Sequence, residues 1–267
     1  MKKKIGVIFI IVASIFIIII SYISWHIKLE DIKKNATKVV PISTSGSNNI
    51  VEKSPMSLKI NDLKNYSENS DSSIKKLFKD RLQNSQQVQM LILGSTAMDQ
   101  GGEGYASLLE KSFQETYGEF ITITSQSFDS TSADFISKHL NEVKWDKPYD
   151  LVLLEPFILN DNGLVPTEEE FQYIEQIKEK VRGQIKDAVV VLQPSFPIFG
   201  TSYYETNVAS LKSFAKEHSF PYVNHWEEWP SSSDTDLKSY LTGDNEQPNE
   251  RGTKLWAQSL SKYFTNH

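Results

Sequence analysis

The sequence predicts an α/β domain built on a five-stranded parallel sheet with helices on both faces, preceded by one N-terminal membrane-spanning helix. Three observations predict it. Residues 5–25 form an uncharged run of 21 residues dominated by Ile, Val and Phe. From residue 87 onward, short apolar runs alternate with amphipathic stretches of ten or more residues, the pattern of buried strands joined by crossover helices. The alternating part covers about 180 residues, the size of one such domain, and shows no internal repeat.

The first run reads as an uncleaved signal-anchor. At about 1.5 Å per residue, a helix over 5–25 covers the roughly 30 Å hydrocarbon core of a bilayer. A cleaved signal peptide has a shorter apolar region and a small-x-small cleavage site, which residues 21–26 do not offer. A lipoprotein anchor needs a cysteine, and the chain has none. Lys2, Lys3 and Lys4 precede the run, whereas Lys28, Lys33 and Lys34 follow it beside Glu30 and Asp31. Three adjacent lysines plus the amino terminus favour the short side as cytoplasmic. The expectation is a cytoplasmic tail at 1–4, a single-pass cell-membrane anchor at 5–25 and an extracytoplasmic remainder.

Charge narrows the ligands. The chain carries 28 basic and 34 acidic residues; setting aside the six lysines and two acids of residues 1–34 leaves 22 basic and 32 acidic, a formal −10. That balance argues against a nucleic acid or an anionic membrane surface as the ligand of the outer part. Without cysteine there is no disulfide framework, in keeping with a bacterial surface setting.

Residues 26–71 are rich in Ser, Asn and Lys and lack an apolar period, so they read as a flexible tether, with the domain expected at 72–267. Ile74, Leu77, Phe78 and Leu82 recur at helical spacing within 72–84. Strand and helix then alternate: 88–93 strand, 105–117 helix closing on Gly118, 120–124 strand, 132–143 helix, 151–154 strand. A helix over 168–182 opens on Glu168, Glu169 and Glu170 at its positive dipole end. A strand over 188–192 stops at Gln193-Pro194; a helix at 203–218, a fifth strand at 221–223 and a terminal helix at 251–264 complete the order.

In open sheets of this kind, ligands bind beyond the carboxyl ends of the strands. The loops to inspect are therefore 94–104, 125–131, 155–166, 193–202 and 224–250. Gly94-Ser95-Thr96 ends the first strand with a hydroxyl-bearing turn, which can present an oxygen beside backbone N–H groups, as acyl transfer requires; it also reads as a plain Gly-Ser turn. Asn160, in Asn160-Asp161-Asn162-Gly163, could donate to a developing oxyanion, although this is also ordinary turn chemistry. The run from Asp244 to Gly252 opens the last helix.

In this order and at these strand ends, the segments resemble the SGNH (GDSL-type) hydrolases over residues 87–265. The resemblance implies a flavodoxin-like three-layer sandwich and hydrolysis or transfer of an ester-linked acyl group. It also implies a serine nucleophile after the first strand, a Gly and an Asn in the oxyanion hole, and an Asp with a His three residues later. Asn160-Asp161 matches the family's Gly-x-Asn-Asp segment, with Ile158 in place of the glycine. Asp244 matches the aspartate, and Pro248-Asn249-x-x-Gly252 matches the His-Pro-Asn-x-x-Gly run. The second-strand glycine falls near Ser127. In strict register Ser95 takes the aspartate position of Gly-Asp-Ser and Thr96 the nucleophile position; a one-residue shift makes Ser95 the nucleophile, and both stay open. The histidine position is Gln247.

A serine or threonine hydroxyl is a weak nucleophile until a base takes its proton, and a Gln amide does not titrate near neutral pH. Of the five histidines, His26 borders the anchor, His267 ends the chain, and His139 and His218 lie in expected helices. His225, at the end of the fifth strand, lies on the same edge as the other loops and is either a substitute base or a packed histidine beside Trp226 and Trp229. Tyr203, Tyr204, Trp226 and Trp229 either line a sugar cleft or pack core and rim. Gly101-Gly102-Glu103-Gly104 lacks the lysine and spacing of a phosphate loop, and no Cys/His grouping has metal spacing, so no cofactor and no metal are expected. The functional expectation is a membrane-anchored esterase or acyl-transfer enzyme acting on acylated cell-envelope glycans or small esters. The alternative is an inactive member that binds an envelope ligand or a protein partner.

Overall fold

A computed structural model describes residues 58–267 except Asn245; the anchor expected at 5–25 and the tether up to residue 57 lie outside the described residues. Among the described residues, no helix is long and apolar enough to cross a membrane. The domain begins before residue 72. Helix α1 (Ile60–Tyr66) buries Leu63, and Tyr66 meets the Tyr117 ring edge-on at 5.9 Å. Asn69 Nδ2 and Ser70 Oγ donate to the carbonyls of Lys262 and Tyr263 at 2.9 and 3.0 Å. The last part of the expected tether is thus packed on the chain's final helix.

Helix α2 (Ser72–Gln83) is capped by Asp71, which accepts the Ser73 N–H, and buries Ile74, Leu77 and Phe78 as its spacing requires. Its Arg81 pairs with Asp150 at 2.7 Å, while the other Asp150 oxygen accepts the Gln89 N–H at 2.8 Å. This ties α2 to the amino ends of the strands. The order continues β1 (Val88–Ser95), α3 (Gly104–Tyr117), β2 (Ile121–Phe128), α4 (Ser132–Asp134), β3 (Leu151–Leu154), α5 (Ile158–Asp161), α6 (Thr167–Arg182), β4 (Val189–Leu192), α7 (Tyr203–Glu217) and α8 (Glu250–Thr265).

The strands lie in the order β2-β1-β3-β4, all parallel, with Met90 opposite Leu151 and Leu151 opposite Val189. Alternation along them makes two cores. Val88, Met90, Ile92, Leu151, Leu153, Val189 and Val191 pack under α1, α2, α3 and α8. Leu91, Leu93, Val152, Leu154, Val190 and Leu192 pack under α6, α7 and the segment after α4. The result is three layers, helix on sheet on helix. Strands β3 and β4 are buried along their whole length, whereas edge strand β2 is half-exposed.

Two expected elements differ. The fifth strand is reduced to one parallel bridge between Leu192 and Tyr222, held by Leu192 N–H to Pro221 O and Val223 N–H to Leu192 O, each 2.9 Å. Pro221 has no N–H to extend the ladder, and the chain turns at once into the 3₁₀ segment His225–Glu228. The sheet therefore has four strands, not five. The helix expected at 132–143 is one α turn followed by a π turn, Phe135–His139. Ser137 Oγ there donates back to Ala133 O at 2.9 Å, a bond that competes with regular helix.

Candidate active site

The carboxyl ends of β1 and β3 meet around Glu155. Its N–H continues the ladder to Leu93 O at 2.9 Å, and its side chain turns back so that Oε2 accepts the Ser95 N–H at 2.7 Å. A Cβ on Gly94 would lie 2.8 Å from Glu155 Cβ and 2.9 Å from Oε2. Glycine at 94 is therefore what admits the carboxyl. Glu155 is fully buried, and burial pushes its pKa up against the opposing Ser95 contacts. Ser95 is 2% exposed, and its Oγ has no hydrogen-bond partner among the described residues.

Thr96 differs. It is half-exposed and opens the 3₁₀ turn Thr96–Asp99, whose Ala97 and Met98 are buried. Thr96, not Ser95, thus offers the more accessible hydroxyl on this turn. The turn is held from two sides. Ser127, opposite Gly94 in the β1–β2 register, donates to Asp99. Farther on, Gly101 at φ +70° lies where a Cβ would fall 2.1 Å from Thr253 Oγ1 and 2.5 Å from Asn249 O, and Thr253 Oγ1 donates to Gln100 O at 2.9 Å. The loop after β1 is thereby brought against the start of α8.

Asn160 sits on α5, entered through Phe157 at φ 65°, ψ 11°. The left-handed residue is one place earlier than the glycine position assigned to Ile158 in the sequence, which is itself buried. Asp161, fully buried, accepts the Ser132 N–H at 2.7 Å and pins the turn, and Asn160 beside it is half-exposed. Asp244 is exposed; it accepts from Thr242 Oγ1 and, at 3.1 Å, from the Glu246 N–H. The Thr242 bond, reinforced by that N–H, holds its carboxyl below the usual range. Gln247 bridges back to Thr242 through its backbone, and its side-chain oxygen is buried without a partner among the described residues.

The run after it has a structural reading. Pro248 bridges Leu241. Asn249 caps α8 by accepting the N–H groups of Arg251 and Gly252 at 2.9 and 3.1 Å, and donates to Ser239 O and Leu241 O at 3.0 and 2.8 Å. A Cβ at Gly252 would fall 2.2 Å from Tyr240 O.

His225 is not placed as a base. It is 1% exposed, stacks on Trp256 with centroids 4.7 Å apart, and its Nε2 lies 2.9 Å from Pro194 O. A carbonyl only accepts, so Nε2 carries the proton and Nδ1 is buried without a partner. Burial pushes its pKa down to about 3. The hydrogen bonds of the described residues join it to neither Ser95, Thr96 nor Asp244. Of the aromatic candidates, Tyr204 and Trp229 are buried, Trp226 donates to Ser195 O at 2.7 Å, and Tyr203 is 58% exposed.

A buried polar network went unread in the sequence. Gln193 Nε2 donates to Tyr105 OH at 2.8 Å, and Trp256 Nε1 donates to Gln193 Oε1 at 2.9 Å. Ser195 and Tyr204 add two more buried hydroxyls at the same strand ends. The available signal was Glu155 itself, a carboxyl within an otherwise apolar run.

No protein-family model matches the chain, and no curated protein matches it by sequence. Solved structures do match. Axe2, an acetylxylan esterase from Geobacillus stearothermophilus, superimposes with a TM-score of 0.55 at 15% identity over 66% of this chain and 94% of that one. A protein assigned to the G-D-S-L family from Desulfitobacterium hafniense DCB-2 gives 0.52 at 17% identity, covering 66% and 99%. TesA gives 0.51 at 16% identity, covering 64% and 95%. The described domain has the SGNH hydrolase fold.

Proposed function

We propose that the chain is an ester hydrolase or acyl-transfer enzyme of the SGNH type, working at the carboxyl edge of its sheet. The observation that carries the reading is the turn after β1, where a reachable Thr96 hydroxyl follows backbone fixed by Glu155. Thr96 would attack the ester carbonyl, and the Asn160 amide with backbone N–H groups of the turn would receive the developing oxyanion. Its collapse would break the ester C–O bond, releasing the alcohol and leaving an acyl-threonine that water or an acceptor hydroxyl then cleaves. With Gln at 247, the released proton would pass to water beside the Asp244–Gln247 turn. A missing positioned base costs on the order of 10²–10⁴ in rate, so slow turnover is expected. For substrate we propose acylated cell-envelope glycans. The acidic outer part, the anchor expected at 5–25 and the structural likeness to an acetylxylan esterase support that class.

Gln247 and the buried His225 favour a second reading, an inactive member that binds an acylated ligand or a protein partner in the same place. Hydrolysis of a short-chain aryl acetate separates the two. Slow turnover in the wild type, lost in Thr96→Ala, retained in Ser95→Ala and raised about 100-fold or more in Gln247→His, is the enzyme's signature. Rates no faster than buffer in all four proteins, each folded, would leave binding as the function.

A further inference from the structure

We infer that the cleft between α1 and α2 is a docking surface for the anionic headgroups of a lipid bilayer, a role independent of the ester-hydrolase reading. The two helices share one apolar core, to which α1 gives Leu63 and α2 gives Ile74, Leu77 and Phe78. Helix α2 lies against the amino ends of the strands. Its Arg81 pairs with Asp150, the residue before β3, and its Ser73 and Leu77 border a small surface hollow with Ala188 and Val189 at the start of β4. On the outside, α1 and α2 leave an open cleft of about 570 Å³, whose lining includes Ile60, Lys64, Glu68, Lys75 and Lys79.

Lys75 and Lys79 are one helical turn apart and share a face of α2, and Lys64 comes from the last turn of α1. All three are exposed, and none belongs to an ion pair among the described residues. Glu68 is the one acid that lines the cleft with them. The charge of the chain is divided in the same sense. Residues 58–84 hold six basic and four acidic residues, a formal +2, whereas residues 85–267 hold 14 and 27, a formal −13. The negative balance that argues against an anionic surface is therefore carried by the rest of the domain and not by α1 and α2.

Ile60 decides between a bilayer and a soluble polyanion. It is 44% exposed in the same cleft as the lysines. An apolar side chain beside long amines suits a lipid interface, where the alkyl group enters the headgroup boundary and the amines reach the phosphates. A soluble polyanion would leave Ile60 in water. Chain order points the same way: the apolar run at 5–25 precedes the domain, and the described chain begins at residue 58, two places before Ile60.

The test places the full chain in nanodiscs of phosphatidylcholine, with or without about one third phosphatidylglycerol, and reads amine labelling at each lysine by mass spectrometry. Labelling of Lys64, Lys75 and Lys79 should be about threefold slower in the phosphatidylglycerol discs, and the difference should disappear at about 1 M NaCl. Lys254, near the start of α8, should label equally in both discs. In the double variant Lys75→Glu, Lys79→Glu, which alters exposed positions alone, Lys64 should label equally in both as well. Equal labelling of the three wild-type lysines in the two discs overturns the proposal, as does a chain that fails to stay with the phosphatidylglycerol discs. Inorganic phosphate that slows the same three lysines as strongly in phosphatidylcholine discs would assign the cleft to a soluble anion and overturn the membrane as its occupant.

Discussion

Glycine at 94 and glutamate at 155 are one device written at two distant places in the chain. Either residue alone looks unremarkable, and neither the Gly-Ser turn nor the apolar run ending in Glu155 announces that the carboxyl folds back onto the Ser95 N–H. His225 misled for a related reason. Its place after the last predicted strand was legible, but the side on which its ring lies was not, and Trp256, which covers it, sits 31 residues farther on. Its burial has a pH consequence. The unfolded chain takes up a proton near 6.5, whereas the folded ring resists it until about 3. Native stability from this residue is complete above the unfolded value and falls by about 1.4 kcal/mol per pH unit as pH drops through that window. Urea midpoints between pH 8 and 4 should fall more steeply for wild type than for His225→Gln. Parallel curves would show that the ring titrates freely.

At the scale of elements, the entry to α8 carries the clearest expectation. Asn249 accepts two N–H groups at the helix start and donates to two carbonyls of the preceding segment. Asn249→Ala should therefore cost about 2 kcal/mol, the upper part of the range for a lost cap, read from the urea midpoint. A loss under half of that would mean the Leu241–Pro248 bridge fixes the helix without the cap. The sequence displayed α8, α6 and α3 because their apolar stripes run for three turns or more. Helix α1 escaped because two turns with a single fully buried residue make no period inside a polar stretch. The fifth strand was overread because Pro221 and Val223 are as apolar as a strand should be, while the missing N–H matters only once a neighbour must be paired.

For the molecule as a whole, the layered architecture was the most legible part. Strands β1, β3 and β4, buried almost throughout, leave little freedom in how the helices can be placed, and the strand-end rule pointed to the sheet's carboxyl edge without its chemistry. What stayed hidden are contacts between distant segments, such as the Ser132 N–H on the Asp161 carboxyl. One such contact concerns the two ends of the described domain. Asn69 and Ser70 are bonded to the last turn of α8, and Asn266 Nδ2 donates to Asn65 O at 3.3 Å. The polypeptide enters and leaves through the same pole, at the amino ends of the strands, and Thr96 stands at the opposite one. Joining residues 58 and 267 by a short linker and reopening the chain at exposed Gly163 should give a folded circular permutant with an unchanged far-UV spectrum; an unfolded product would mean the free ends bear strain. Held on a support by either end, the domain would offer its Thr96 pole outward, like a lamp fixed at its base.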